Sequence, residues 1–386
     1  MAGFDWLRRL AQRGRPQPAA EADEADEAVV EALLALGFDA AAYLTDYPVI
    51  GAMSAREAAR HFHRWGRPEW LRVRFAQPFA VAQARIETLD LPEAQKDQLR
   101  IDLAASALWQ AAPAGDGAED LLRPSPAYRP LPILSDSHGQ LYLTEQMLWS
   151  GRWAPAPLLC VGASARGLGN PASRAQAGER IRAHLQRLES APGVEAALLK
   201  FGQVDLEFVY DYRRVRDGAR VFDLADAEAF ARDSARRYVD FLAESQARTP
   251  IRLVVTAALP PALGDAALRE GYMNAHIVQL HSELSPDALR AALQSLGMPD
   301  WPTRTALAGV FNDVLADGCT AAGLTFYDDF TPLVGPEGVI DPALIVWHGG
   351  TDHHLCATSP AARAVAARVS ADLALMATRG WAWRAS

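Results

Sequence analysis

A chain of 386 residues, half of them hydrophobic, is long enough for one large and one smaller domain with a sizeable core. Its formal net charge of −9 and the lack of a basic stripe argue against a nucleic-acid partner. Cys160, Cys319 and Cys356 are far apart and odd in number, which excludes a disulfide framework or a Cys-x-x-Cys zinc knuckle.

The first stretch, Met1 to Arg15, lacks the apolar centre of a signal peptide. No run in the chain approaches the roughly 20 apolar residues that span a bilayer. A cytoplasmic location follows as the expectation. Phe4, Trp6, Leu7 and Leu10 stand among arginines, so this start is either a frayed basic terminus or a peripheral contact with an anionic membrane. Residues 1–27 read as a flexible segment, its Pro-, Ala- and acid-rich part leading into a helix. Residues 28–122 read as a helical accessory module, with apolar stripes at Val29, Val30, Leu33, Leu34 and Leu36 and again over Ala55 to Trp65. Prolines punctuate residues 113–130 and suggest a connection.

From residue 130 to 386 the pattern changes. Short apolar runs at 131–134, 158–161, 196–201 and 251–256 predict strands, with 344–347 as a short fifth. Helices are expected at 171–188, 226–244 and 304–322. This alternation predicts an α/β domain with a parallel sheet, whose reactive groups gather beyond the carboxyl ends of the strands.

Polar residues with chemical potential fall at those strand ends. The first strand runs into Ser135-Asp136-Ser137-His138-Gly139, which suits either an exposed serine nucleophile or a helix N-cap. The second runs into a loop containing Gly167, Gly169 and Asn170, whose backbone N–H groups can bind developing negative charge. The third ends in Gly202-Gln203-Val204-Asp205. There the Gln203 amide can support an oxyanion, and Asp205 can fix the loop by accepting backbone N–H groups. Near the C-terminus, Asp352-His353-His354 places a carboxylate beside two imidazoles, the makings of an oriented general base. Cys356 is close by, but the segment supplies too few convergent ligands for a hydrolytic metal. Neither metal nor cofactor is expected.

The order of these four segments resembles the SGNH hydrolase superfamily, also called GDSL-like, over roughly residues 130–358. The resemblance implies a flavodoxin-like three-layer parallel sheet and serine-dependent ester chemistry. Ser135-Asp136-Ser137 stands where the family has G-D-S, which implies Ser137 as nucleophile. The loop around Gly169 and Asn170 takes the place of the second block. Gly202 to Asp205 keeps the glycine and aspartate of G-x-N-D but lacks the asparagine, with Gln203 as its substitute. Asp352-His353-His354 is one residue shorter than D-x-x-H, so Asp352 is the expected carboxylate and His354 the base, with His353 in reserve. The F-G-Q-V-D and D-H-H-L segments are similar to a bacterial branch found with capsule and lipopolysaccharide assembly genes. Phe38-Asp39, Tyr43-Leu44, Tyr47-Pro48, His61-Phe62 and Gly66 to Glu69 resemble a helical module that accompanies bacterial glycosyltransferases.

Together these imply an esterase or O-acyltransferase acting on acyl groups, expected to be acetyl, of a surface or capsular glycan. A carbohydrate substrate, an acyl donor and polysaccharide-assembly proteins are the implied partners. A non-catalytic glycan-binding scaffold and a glycosyl or other group transferase are the alternatives. Two further segments are open. Residues 261–301, with Tyr272, Asn274, His276 and His281, read as a lid or as helical padding. Arg213, Arg214 and Arg216 read as an anion site or as a solvated turn.

Overall fold

The computed structural model describes residues 20–67, 71–111, 119–123, 125–345, 351–357 and 359–381. The basic start of the chain, Glu69, Trp347 and the His348 to Gly350 segment lie outside the described residues. The chain divides into two compact units, one formed by residues up to Gln110 together with Ser125–Tyr128, the other by the remainder.

The first unit is helical: α1 Ala20–Ala35, α2 Ala40–Asp46, α3 Ala55–His61, α4 Phe79–Thr88 and α5 Glu93–Ala111. The aromatic residues between Phe38 and Phe62 supply much of its core. The Phe38, Tyr43, Tyr47 and Phe62 rings pack at centroid distances of 5.4–5.9 Å. Asp39 accepts the Ala42 N–H and so caps α2. Tyr43 Oη lies 3.0 Å from His61 Nδ1. Gly66 is required because a Cβ there would press on the Tyr43 hydroxyl and the Phe62 ring.

The second unit is α/β, with a five-stranded, all-parallel sheet. Its strands are β1 Arg129–Ser135, β2 Trp153–Leu159, β3 Ala196–Lys200, β4 Arg252–Thr256 and β5 Thr325–Tyr327, in the order 2-1-3-4-5. Its helices are α6 Glu145–Gly151, α7 Ala177–Leu188, α8 Tyr210–Asp217, α9 Leu224–Gln246, α10 Asp265–Arg269, α11 Ala275–His281, α12 Pro286–Gln294, α13 Trp301–Ala321 and α14 Pro360–Thr378. Parallel strands covered on both faces need apolar residues at every position, not alternate ones. Accordingly Leu134, Leu199, Leu253 and Val255 pack against α7, α9 and α13. Their neighbours Ile133, Leu198 and Val254 are also fully buried and point the other way. Pro155 and Pro157 fit in β2 because it is an edge strand, where a missing N–H breaks no ladder.

Two sequence expectations shift. The fifth strand is Thr325–Tyr327; of the expected 344–347, the last two residues lie outside the described residues. Thr, Phe and Tyr favour a strand, and Gly323, at φ +68°, turns the chain out of α13 just before it. Residues Pro342–Leu344 instead form a 3-10 turn capped by Asp341. The helix expected from residue 171 begins at Ala177, because Asn170 Oδ1 accepts the Ala172 N–H and holds residues 170–172 in a turn.

Candidate active site

β1 ends at Ser135, and Asp136 caps a 3-10 turn, Ser137–Tyr142, by accepting the His138 N–H at 2.9 Å. Gly139 follows because any Cβ there would collide with Ser135 Oγ. The turn buries Ser137 at the carboxyl end of the sheet, beside the topological switch between β1 and β3. From 217 residues away, His354 brings Nε2 to 2.7 Å from Ser137 Oγ. His354 Nδ1 lies 2.9 Å from Asp352 Oδ1, which also accepts the His354 backbone N–H at 3.2 Å. Exposure rises outward along this line, from buried Ser137 through His354 at 21% to Asp352 at 49%.

His353 points elsewhere. Its Nδ1 lies 2.6 Å from Tyr272 Oη and 3.2 Å from Asp352 Oδ1, and its Nε2 is buried without a partner. Burial pushes its imidazole down to about 4, against the opposing pull of Asp352 and helped by His138 and His354. Burial raises the Asp352 carboxyl, but hydrogen bonds from His353 and His354 outweigh it and hold the group well below the usual carboxylate range. Asp352 therefore stays ionised and able to orient His354.

A second Asp–His pair, which sequence reading left without a role, lies behind the first. Asp136 Oδ1 is 3.1 Å from His138 Nδ1, and His138 Nε2 is 3.3 Å from the His353 carbonyl. The rings of His138 and His354 stack at 4.7 Å. Burial lowers the pKa of His138. Beneath them, Lys200 is buried 3.7 Å from Asp329, which also accepts the Tyr142 hydroxyl and the Ala257 N–H. A single lysine closing the apolar run Ala196–Leu199 was the available clue.

His138, His353 and His354 each place one nitrogen within 4.8 Å of the others. Cys356, the neighbour noted in the sequence, is not in this group. The fit to a cation is poor. Stacked rings send the His138 and His354 lone pairs side by side instead of toward one point, and both nitrogens of each are already hydrogen-bonded.

The assignment of Gln203 to the oxyanion needs correction. Both Gln203 Nε2 protons are engaged, with Glu207 Oε1 at 2.8 Å and the Leu259 carbonyl at 3.0 Å, while Oε1 accepts the Leu259 N–H. Gln203 thus ties β3's end to the loop after β4 and has no donor left for a substrate. Gly169 and Asn170 stand on the exposed crest of their loop, and Asn170 Oδ1 caps Ala172. The Cys160 N–H bonds the Ser135 carbonyl at 2.7 Å and carries β2 alongside that end of β1. Gly162, at φ +75°, turns the chain just past β2. Asp205 braces the same loop, accepting the Ala165 N–H at 2.5 Å and the Arg166 N–H at 3.3 Å.

The open segments also take definite places. Tyr272 reaches His353, Asn274 caps α11, and His276 and His281 lie 3.0 Å from the carbonyls of Val161 and Gly162. Arg213, Arg214 and Arg216 are paired with Asp226, Asp211 and Asp217 at 2.9–3.1 Å.

No protein-family model and no curated protein matches this chain. The geometry alone carries the functional argument.

Burial raises three carboxyls near the site: Asp211 to about 6, Asp205 to about 7 and Glu207 to about 8. An unfolded carboxyl releases its proton near about 4. Between that pH and about 8 the folded protein holds more protons, so these groups make stability fall as pH rises. Glu207→Gln is expected to lose part of that fall. Melting temperatures at pH 5 and pH 9 should show the variant gaining on the wild-type protein at the higher pH; a constant difference would refute the buried-carboxyl account.

Proposed function

We propose that this chain is a serine esterase or O-acyltransferase of the SGNH superfamily, acting on acyl groups, most simply acetyl, of a bacterial surface or capsular glycan. The observation that carries the reading is the 2.7 Å approach of His354 Nε2 to Ser137 Oγ, with Asp352 behind the imidazole. The strand order 2-1-3-4-5 supports the flavodoxin-like sheet that the superfamily implies. The buried thiols of Cys160 and Cys319 suit a reducing, cytoplasmic compartment. Among the described residues no helix is long and apolar enough to cross a membrane.

Ser137 Oγ attacks the acyl carbonyl as its proton passes to His354 Nε2. Asp352 holds the Nδ1 proton and stabilises the imidazolium. The Ser137 N–H opens the 3-10 turn and so has no intrahelical acceptor, which suits it to the oxyanion. One such donor is worth about 3 kcal/mol in the transition state. When the tetrahedral intermediate collapses, the C–O bond to the departing alcohol breaks and His354 returns the proton to that oxygen. Water or a sugar hydroxyl then attacks the acyl-serine ester with His354 as base, freeing acid or transferring the acyl group.

The test is covalent capture. A fluorophosphonate should label the protein stoichiometrically, with the adduct mapped by peptide mass spectrometry to Ser137. No label, or a label on another serine, would remove the nucleophile and favour a non-catalytic glycan-binding scaffold.

A further inference from the structure

Past the end of β2, the strand paired with β1, lies a pocket of about 360 Å³ lined by Arg166, Arg174, Arg237, His281, Ser164 and Asn170, among others. Its size is within the range of sites for small ligands. No carboxylate lines it. Arg166 and Arg237 share one partner outside the lining, Asp233, at 3.2 and 2.9 Å, and Arg174 meets the mostly exposed Glu283 at 3.5 Å. Three guanidiniums thus face the pocket with two carboxylates, Asp233 and Glu283, outside its lining. Asp205 lies behind the wall, where it accepts the Ala165 and Arg166 N–H groups.

The guanidiniums are held in place. Arg166 lies over the Phe230 ring at 4.6 Å, and burial lowers its pKa against the opposing pull of Asp205 and Asp233. His281 lies 3.0 Å from the Gly162 carbonyl, which anchors one wall of the pocket to the turn past β2. Ala163 belongs both to that turn and to the pocket lining. Clustered guanidiniums with hydroxyl and amide neighbours and no carboxylate among the lining residues match carboxylate or phosphate oxygens, which accept forked N–H donors.

We propose that this pocket binds the anionic group, a carboxylate or phosphate, of a sugar residue whose acyl group lies at Ser137. The assignment rests on the esterase or acyltransferase reading for its substrate, but anion binding itself does not require a reactive serine. It names a substrate class: acylated acidic glycans in preference to neutral ones.

Saturation-transfer NMR and calorimetry with glucuronate, glucose 1-phosphate and glucose test it on the full chain. Both anionic sugars should bind, weakening as salt rises, and glucose should not. The two anionic probes separate carboxylate from phosphate recognition. Arg174→Glu, at an exposed position, and Arg237→Gln should each weaken anion binding by about tenfold, with unchanged far-UV circular dichroism. Ser137→Ala should bind the anions like the wild-type protein. Equal binding of glucose and glucuronate, no response to either anion, or full affinity in both arginine variants would overturn the proposal. Anion binding without fluorophosphonate labelling would overturn the serine reading alone. Labelling at Ser137 without anion binding would overturn this pocket alone.

Discussion

Replacing Ser137 with alanine is expected to lower kcat for an activated acetyl ester such as p-nitrophenyl acetate by at least about ten-thousand-fold, the scale set when a triad nucleophile is lost. The side-chain bond at stake is the one to His354 Nε2, and the turn is held instead by Asp136 and by the fit of Gly139 against Ser135. The variant should therefore keep its melting temperature and far-UV spectrum. Ser135 makes a useful contrast, because its Oγ donates to the Asp136 carbonyl at 2.6 Å. Steady-state rates of Ser137→Ala within tenfold of the parent would sink the mechanism.

His354→Gln should cost a comparable factor in kcat with little change in KM, whereas His353→Gln should cost about tenfold, the scale for a residue that supports a catalytic group from behind. The asymmetry follows from position and basicity. His354 Nε2 faces the serine; His353 faces Tyr272 and Asp352, and with its imidazole near 4 it is a poor proton acceptor at neutral pH. Asp352 is ionised far into the acid range, so loss of activity on mild acidification should not report protonation of that carboxylate. Equal losses in kcat for the two histidine variants would show that the base had been misassigned.

Much of the α/β unit was legible because its cues are local. Three of the five strands announced themselves as apolar runs, the second was expected at 158–161 but starts at Trp153, and α9 and α13 follow a helical period opened by the Asp223 and Asp300 caps. β5 was hidden because three residues between a helix and a loop carry too little pattern to outweigh the longer apolar run at 344–347. In the helical unit, the Phe38, Tyr43 and His61 pattern could be seen as a motif, but not that those side chains hold the module's own core together.

The site divides along the same line. Residue type alone nominated Ser137, Asp352 and the two histidines, since few side chains can serve as nucleophile, base and orienting acid. Which imidazole meets the hydroxyl depends on side-chain directions at neighbouring positions, and two adjacent histidines offer no period from which to choose. Gln203 is the converse case. Its chemistry suited an oxyanion donor, yet both its protons are taken by groups four and 56 residues away. Composition and periodicity thus determined the sheet, its flanking helices and the menu of reactive groups, because these are properties of short stretches of chain. Only the tertiary structure decided which groups face one another, because a hydrogen bond across 217 residues follows from how the whole sheet packs.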